Sequence, residues 1–196
     1  MGVPHGAADG FPAYLDESIA VLRRMRDGMD ANLVERSIAV ITEALGSGRA
    51  LLVCGNGGSA SDAMHITGEL VGRFLKERKA LKAICLSSNP AVLTAWSNDY
   101  SYDTVFSRQV EGYGEAGGVI LGLSTSGNSP NVVEAFKAAR AMGMRTIAMT
   151  GESGGRLAEV SDVLLAVPSR STPLIQQAHI CLYHYICERV EALLAG

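Results

Sequence analysis

Five short apolar runs dominate the chain: ALLVCG at 50–55, KAICLS at 82–87, GVILGLS at 118–124, RTIAMTG at 145–151 and DVLLAVPS at 162–169. Each is apolar at nearly every position rather than at alternate ones. A strand of that kind must be covered on both faces, which is the signature of a parallel sheet between helices. The segments between the runs carry helical spacing: the 60s, NPAVLTAWS, YDTVFSRQVEGYG, Pro130 to Gly143, a short piece from Arg156 to Val160, and Pro173 to Leu194. The expectation is an α/β fold, a three-layer αβα sandwich around a five-stranded parallel sheet. In such sheets ligands bind at the carboxyl ends of the strands, where the turns lie.

Two helical patterns precede the first strand. Leu15, Ile19, Leu22, Met25 and Met29 repeat at helical spacing. Asp30 or Asn32 can cap a second helix with Val34, Ile38, Ile41 and Leu45 as its stripe, ended by Gly46 and Gly48. The reading is a loose end at residues 1 to about 10, then one domain over 11–196 that includes a helical arm at 11–48. The 196 residues suffice for one substantial core. A net charge of −3 gives no general attraction for nucleic acid or an anionic membrane, and no apolar run is long enough to span a bilayer. The N-terminus MGVPHGAADG lacks the apolar stretch of a secretory signal, and the four cysteines form no C-x-x-C pair. Both features suit a reducing cytoplasm.

The stretch LLVCGNGGSASDAMHITGELVGRF, residues 51–74, reads as strand, glycine turn and helix. Backbone N–H groups converge at such a helix N-terminus and favour an anion. The turn is not a Walker A loop, because no lysine precedes its serine. Gly55-x-Gly57-x-x-Ala60 fits the loose dinucleotide pattern, but the next strand ends in Leu86-Ser87-Ser88-Asn89, with no carboxylate for a ribose. A second turn, Ser124-Thr125-Ser126-Gly127-Asn128-Ser129, follows a strand and opens a helix at Pro130. One helix cap needs one such residue; five polar residues favour a phosphate held by hydroxyls and N–H groups.

His65 and Glu69 stand four apart on one helix face, opposite Ala63, Ile66, Leu70 and Phe74 and beside Gly68 and Gly72. The pair reads as a solvated ion pair or as half of a metal site. Two mid-helix glycines cost about 1 kcal/mol each and suggest close approach of another element. In the last helix Ile175, Leu182, Ile186, Val190 and Leu193 mark a core stripe. His184 faces away from it, as a boundary histidine or a functional one. His179 lies near the stripe and reads as packed. Cys54 reads as a buried small residue. Arg73, Asn98 and Asp99 read equally as sugar contacts or as ordinary surface.

The residues CGNGGSxxDAMH with Glu69, then SND, FSRQVE, STSGNS and IQ-x-x-H-x-x-x-x-H resemble the phosphoheptose isomerases, enzymes of the sugar isomerase (SIS) domain family. The resemblance covers about residues 11 to 194. It implies the SIS fold with flavodoxin-like strand order and a homotetramer with active sites between subunits. It further implies conversion of sedoheptulose 7-phosphate to D-glycero-D-manno-heptose 7-phosphate through an enediol, the step that feeds heptose into lipopolysaccharide and other surface glycans. Carried over by motif, Glu69 and His184 are the acid/base pair, and His65, Glu69, Gln176 and His184 hold one zinc. Ser59, Ser124, Thr125, Ser126 and Ser129 would contact phosphate, and Asn56 and Asp99 the sugar. Gly57, Gly58, Arg73, Asn98, Thr172 and Gln176 complete the expected substrate site. One departure is the loop Ser169–Leu174, which lacks an acidic residue often found there in the family. Two alternatives are an isomerase of another phosphosugar and a non-catalytic SIS protein that binds the replication initiator DnaA. The relative that acts in the second way lacks the acid/base pair retained here.

Overall fold

The computed structural model describes residues 10–195; the expectation of a loose N-terminal end falls on residues 1–9, outside them. Two helices come first, α1 (Phe11–Gly28) and α2 (Ala31–Gly46). The body then runs β1 (Leu51–Gly55), α3 (Gly58–Val71), β2 (Ala83–Cys85) and α4 (Pro90–Asp99). A 3-10 turn over Tyr102–Thr104 leads into α5 (Val105–Tyr113). The chain continues through β3 (Val119–Ser124), α6 (Pro130–Ala141), β4 (Arg145–Thr150), α7 (Leu157–Val160), β5 (Val163–Ala166) and α8 (Thr172–Leu194). All strand pairs are parallel, in the order β2-β1-β3-β4-β5. The expected five-stranded α/β architecture and its order are present.

Strand pleating divides the core. Leu51, Val53, Val119, Leu121, Leu123, Ile147, Met149, Val163 and Leu165 point to one face, where α2, α3 and α8 cover them. Leu52, Cys54, Ile120 and Ala148 point to the other, against Val105, Phe106 and Val110 of α5 and Val132, Phe136 and Ala139 of α6. Successive side chains alternate across a strand, so continuous apolarity demands both layers. Asp30 caps α2 by accepting from Asn32 N–H at 2.9 Å, and Val34, Ile38, Ile41 and Leu45 are buried as their spacing requires. Burial on α1 is confined to Val21, which packs on Leu174, Ile175 and Ala178; Leu15 and Ile19 are exposed.

Two local expectations are corrected. α3 stops at Val71, so Gly72 is its C-cap rather than a mid-helix residue, and Phe74 lies in the following loop. Gly68 is mid-helix, and within the chain a Cβ there would meet nothing within 4 Å. Leu193, assigned to the stripe of α8, is exposed, because the stripe continues from Ile186 and Val190 to Leu194, which packs on the core instead.

Candidate active site

In this strand order the connection direction reverses between β1 and β3, which opens a crevice at their carboxyl ends. The two glycine- and serine-rich turns lie there, since Gly55 of β1 pairs with Leu123 of β3. Gly57 adopts φ +57°, a conformation glycine tolerates, and turns the chain into α3. Gly58 then leaves room for Gln176 of α8, whose amide a Cβ would strike. Ser59 is buried.

The second turn keeps its hydroxyls free of capping duty. Ser129 is the N-cap of α6 but makes no side-chain cap bond; its Oγ lies 2.8 Å from Ser124 Oγ instead. Ser126 Oγ accepts from Asn128 N–H at 3.1 Å. Thr125 Oγ1 stands 3.5 Å from Thr172 Oγ1 at the start of α8. Gly127 has φ +67°, and a Cβ there would collide with the Gly154 carbonyl, so the turn is pressed against the loop after β4. Thr125, Ser126 and Asn128 line a cleft of about 270 Å³ with Glu152, Ser153, Ser169 and Arg170. Arg170 occupies the loop that lacks an acid and forms an ion pair with Glu152.

Across the crevice Asn56 and Asn131 exchange two amide hydrogen bonds of 2.9 Å, and the Tyr102 hydroxyl donates to Asn56 Oδ1 at 2.7 Å. Neither Asn131 nor Tyr102 stands out in the sequence. Asn131 is one of the buried polar residues of a helix start, and only the fold reveals its partner. Asn98 and Asp99 sit exposed in the last turn of α4 and bond each other at 2.9 Å. Arg73 is exposed just past the end of α3.

The groups with acid/base and ligating chemistry gather farther along α3 and α8. Nitrogen and oxygen atoms of His65, Glu69 and His184 all lie within 4.8 Å of one another, the one such group among the described residues. His65 Nε2 is 2.9 Å from Glu69 Oε1, and the His65 and His184 rings cross at 84° with centroids 5.0 Å apart. His184 Nε2 is buried and has no hydrogen-bond partner. Two imidazoles and a carboxylate suit zinc, and a buried imidazole nitrogen with no hydrogen-bond partner fits a metal ligand. Gln176 is placed differently within the chain. It lies against Gly58, and its eight-residue separation from His184 is about 12 Å of helix rise.

Two features hold this cluster in place that sequence reading passed over. Tyr183 is buried against both histidines, with its hydroxyl 2.9 Å from His65 Nδ1. Beyond it, buried Asp62 has its carboxyl pKa pushed up by desolvation. The second feature is a clamp. Glu191 accepts backbone N–H groups from Phe74, Leu75 and Lys76 at 2.9, 2.6 and 2.8 Å and pairs with Arg78 at 3.2 Å. Arg78 in turn donates to the carbonyls of Glu69 and Gly72 at the end of α3. Phe74 is thereby set against His184, ring centroids 5.6 Å apart. His179 is fully buried and bonds the Thr150 carbonyl, and burial raises the Cys54 thiol far above its usual range, so neither belongs to the site.

The same fold, with substantial sequence identity, occurs in known proteins. Residues 13–151 match the SIS domain. A phosphoheptose isomerase of Crocosphaera subtropica is 50% identical over 161 residues, 82% of each chain, and one of Synechocystis is 45% identical over 181, covering 92% of this chain and 93% of that one. The structure of a phosphoheptose isomerase from Neisseria gonorrhoeae superposes with a TM-score of 0.87 at 40% identity, covering 92% and 96% of the two chains. One from Francisella tularensis gives 0.88 at 32% identity with the same coverage. Since both sequence identity and fold are shared along nearly the full length, this chain belongs to the phosphoheptose isomerases of the SIS-domain family.

Proposed function

We propose that the chain isomerises sedoheptulose 7-phosphate to D-glycero-D-manno-heptose 7-phosphate, with Glu69 and His184 as its acid/base pair. The observation that carries this is their convergence: residues 115 positions apart in sequence bring a carboxylate and an imidazole within 4.8 Å of each other. Aldose–ketose exchange needs a base at carbon and an acid at oxygen. Glu69 removes a proton from C1 of the ketose while His184 supplies one to O2. The enediol becomes the aldose when C2 gains a proton and the O1 hydroxyl loses its own. Ser124, Thr125, Ser126 and Ser129, with Ser59, hold the phosphate by hydroxyl and N–H groups. Asn56, Gly57, Gly58, Arg73, Asn98, Asp99, Thr172 and Gln176 line the sugar.

His65, Glu69 and His184 fit a zinc ion by donor type and proximity, and Gln176 is the fourth ligand on the family resemblance. Bound there, zinc would polarise the sugar oxygens as a Lewis acid. The family resemblance also supports a cytoplasmic homotetramer with sites between subunits; exposed Phe11, Leu15 and Ile19 on α1 accord with an arm that packs on another copy. Among the described residues no helix is long and apolar enough to cross a membrane. Incubation with sedoheptulose 7-phosphate, with and without chelator, followed by NMR of the aldose anomeric proton, tests the proposal. Unchanged ketose in the zinc-supplemented sample would sink it.

A further inference from the structure

The hydrogen bonds that lead away from His65 have a direction set by their buried end. Asp62, one turn earlier on α3, is buried, and its Oδ1 accepts from the Tyr183 hydroxyl at 3.4 Å while Oδ2 has no partner. A phenol carries one proton. Given to Asp62, it leaves only lone pairs on Tyr183 Oη for His65 Nδ1 at 2.9 Å, so Nδ1 is the donor. A neutral imidazole has a single N–H, and its other nitrogen, Nε2, then carries a lone pair. That nitrogen faces Glu69 Oε1 at 2.9 Å. Between two lone pairs at that distance stands either a proton on Nε2 or a metal ion, and in the metal-loaded site it is the metal.

We infer that Tyr183 and Asp62 are positioning residues that fix His65 as the Nδ1–H tautomer and so aim its Nε2 lone pair at a metal. This rests on the metal reading of His65, Glu69 and His184. The ring of Tyr183 supports it independently of the hydroxyl. It stands edge-on to His65 at 5.5 Å and 77° and to His184 at 4.9 Å and 83°, the third ring of a triangle with the two imidazoles. A phenylalanine would fill that space as well. It would not require a carboxyl group to be buried behind it, which is costly unless the carboxyl is used. Ligating histidines are commonly oriented through their second nitrogen in this way, and loss of the orienting group weakens metal binding about 10–100-fold.

The test uses the full chain and its Tyr183→Phe, Asp62→Asn and His65→Ala variants. Zinc affinity is read by competition with a chromophoric chelator, and thermal unfolding is measured beside it. In zinc-loaded, nitrogen-labelled protein, NMR follows solvent exchange of the His65 Nδ1 proton. The parent is expected to bind zinc, with the Nδ1 proton slow to exchange, and His65→Ala to lose binding. Tyr183→Phe should bind zinc about 10–100-fold more weakly with an unfolding midpoint near the parent's, and its Nδ1 proton should exchange fast. Asp62→Asn should move both readouts the same way, and it carries the test should Tyr183→Phe fail to fold. Zinc binding within twofold of the parent in the folded variants, with slow exchange retained, overturns the inference while leaving the metal site standing. A parent that binds no zinc, or His65→Ala that binds it normally, overturns the metal reading and the inference together.

Discussion

His65 on α3 and His184 on α8 stand with ring centroids 5.0 Å apart and planes crossed at 84°, although 119 positions separate them in the chain. Glu69 completes the group from the turn above His65. Both helices lie on the same face of the sheet, fixed by Ala63, Ile66 and Leu70 on one and by Leu182, Ile186 and Val190 on the other. The buried stripes thus orient the polar faces that do chemistry.

Glu69→Gln and His184→Gln remove the proton-transfer groups while keeping their shape. Each is expected to lower turnover by about 10²–10⁴-fold, the usual worth of a positioned acid or base. Circular dichroism and unfolding midpoints should stay close to the parent's. Near-normal turnover in either variant would contradict the assignment.

Zinc at 100 times its dissociation constant should stabilise the chain by about 2.7 kcal/mol, or roughly 5–10 °C in a protein of this size. Chelator treatment should abolish both that shift and the isomerase activity. Readdition of zinc should restore them together. Calorimetry on the same samples used for rate measurements checks the linkage.

Ser129 is an N-cap by position but spends its hydroxyl on Ser124. A true cap lost to alanine would cost about 0.5–2 kcal/mol of stability. Ser129→Ala is instead expected to leave the melting curve nearly unmoved. Its KM for the phosphosugar should rise roughly tenfold or more, as befits a hydrogen bond to a charged group. A large loss of stability without a change in KM would restore the capping role.

His179 is 0% exposed, and desolvation lowers its pKa to about 4 despite the bond to the Thr150 carbonyl. The unfolded chain takes up the proton near pH 6.5, the folded chain only near 4. Stability contributed by the neutral ring is therefore whole above pH 6.5 and falls as the pH drops toward 4, by about 3 kcal/mol in total. Urea titrations at pH 7 and pH 5 should show this loss, and His179→Gln should flatten it.

Glu191 and Arg78 are 1% and 3% exposed in their side chains and hold the loop that carries Phe74 against His184. Glu191→Ala leaves Arg78 buried without its partner and three backbone N–H groups unpaired. The expected cost is about 3–5 kcal/mol. Hydrogen exchange should rise first at residues 74–76, and an unchanged exchange pattern there would contradict the clamp.

Much of this molecule is legible in its sequence, for reasons tied to particular residues. Runs such as Leu51–Gly55 and Val119–Ser124 are apolar throughout because both faces are covered, so the layered parallel sheet follows from pattern alone. Asp30, Gly57 and the serine turn act locally, and local chemistry announces itself. The i, i+4 spacing places His65 beside Glu69 without reference to anything else. What pattern could not supply is long-range. Gly72 ends α3 because Arg78, held by Glu191, caps carbonyls at that end. Tyr183 reads as one more apolar residue of α8 until the fold sets its hydroxyl between His65 and Asp62. Asn131 gains meaning only where β1 and β3 bring it to Asn56. A side chain's type and spacing are properties of the chain, but its partner across the core is chosen by how helices pack on the sheet. Packing alone therefore determined that His184 would join His65 and Glu69.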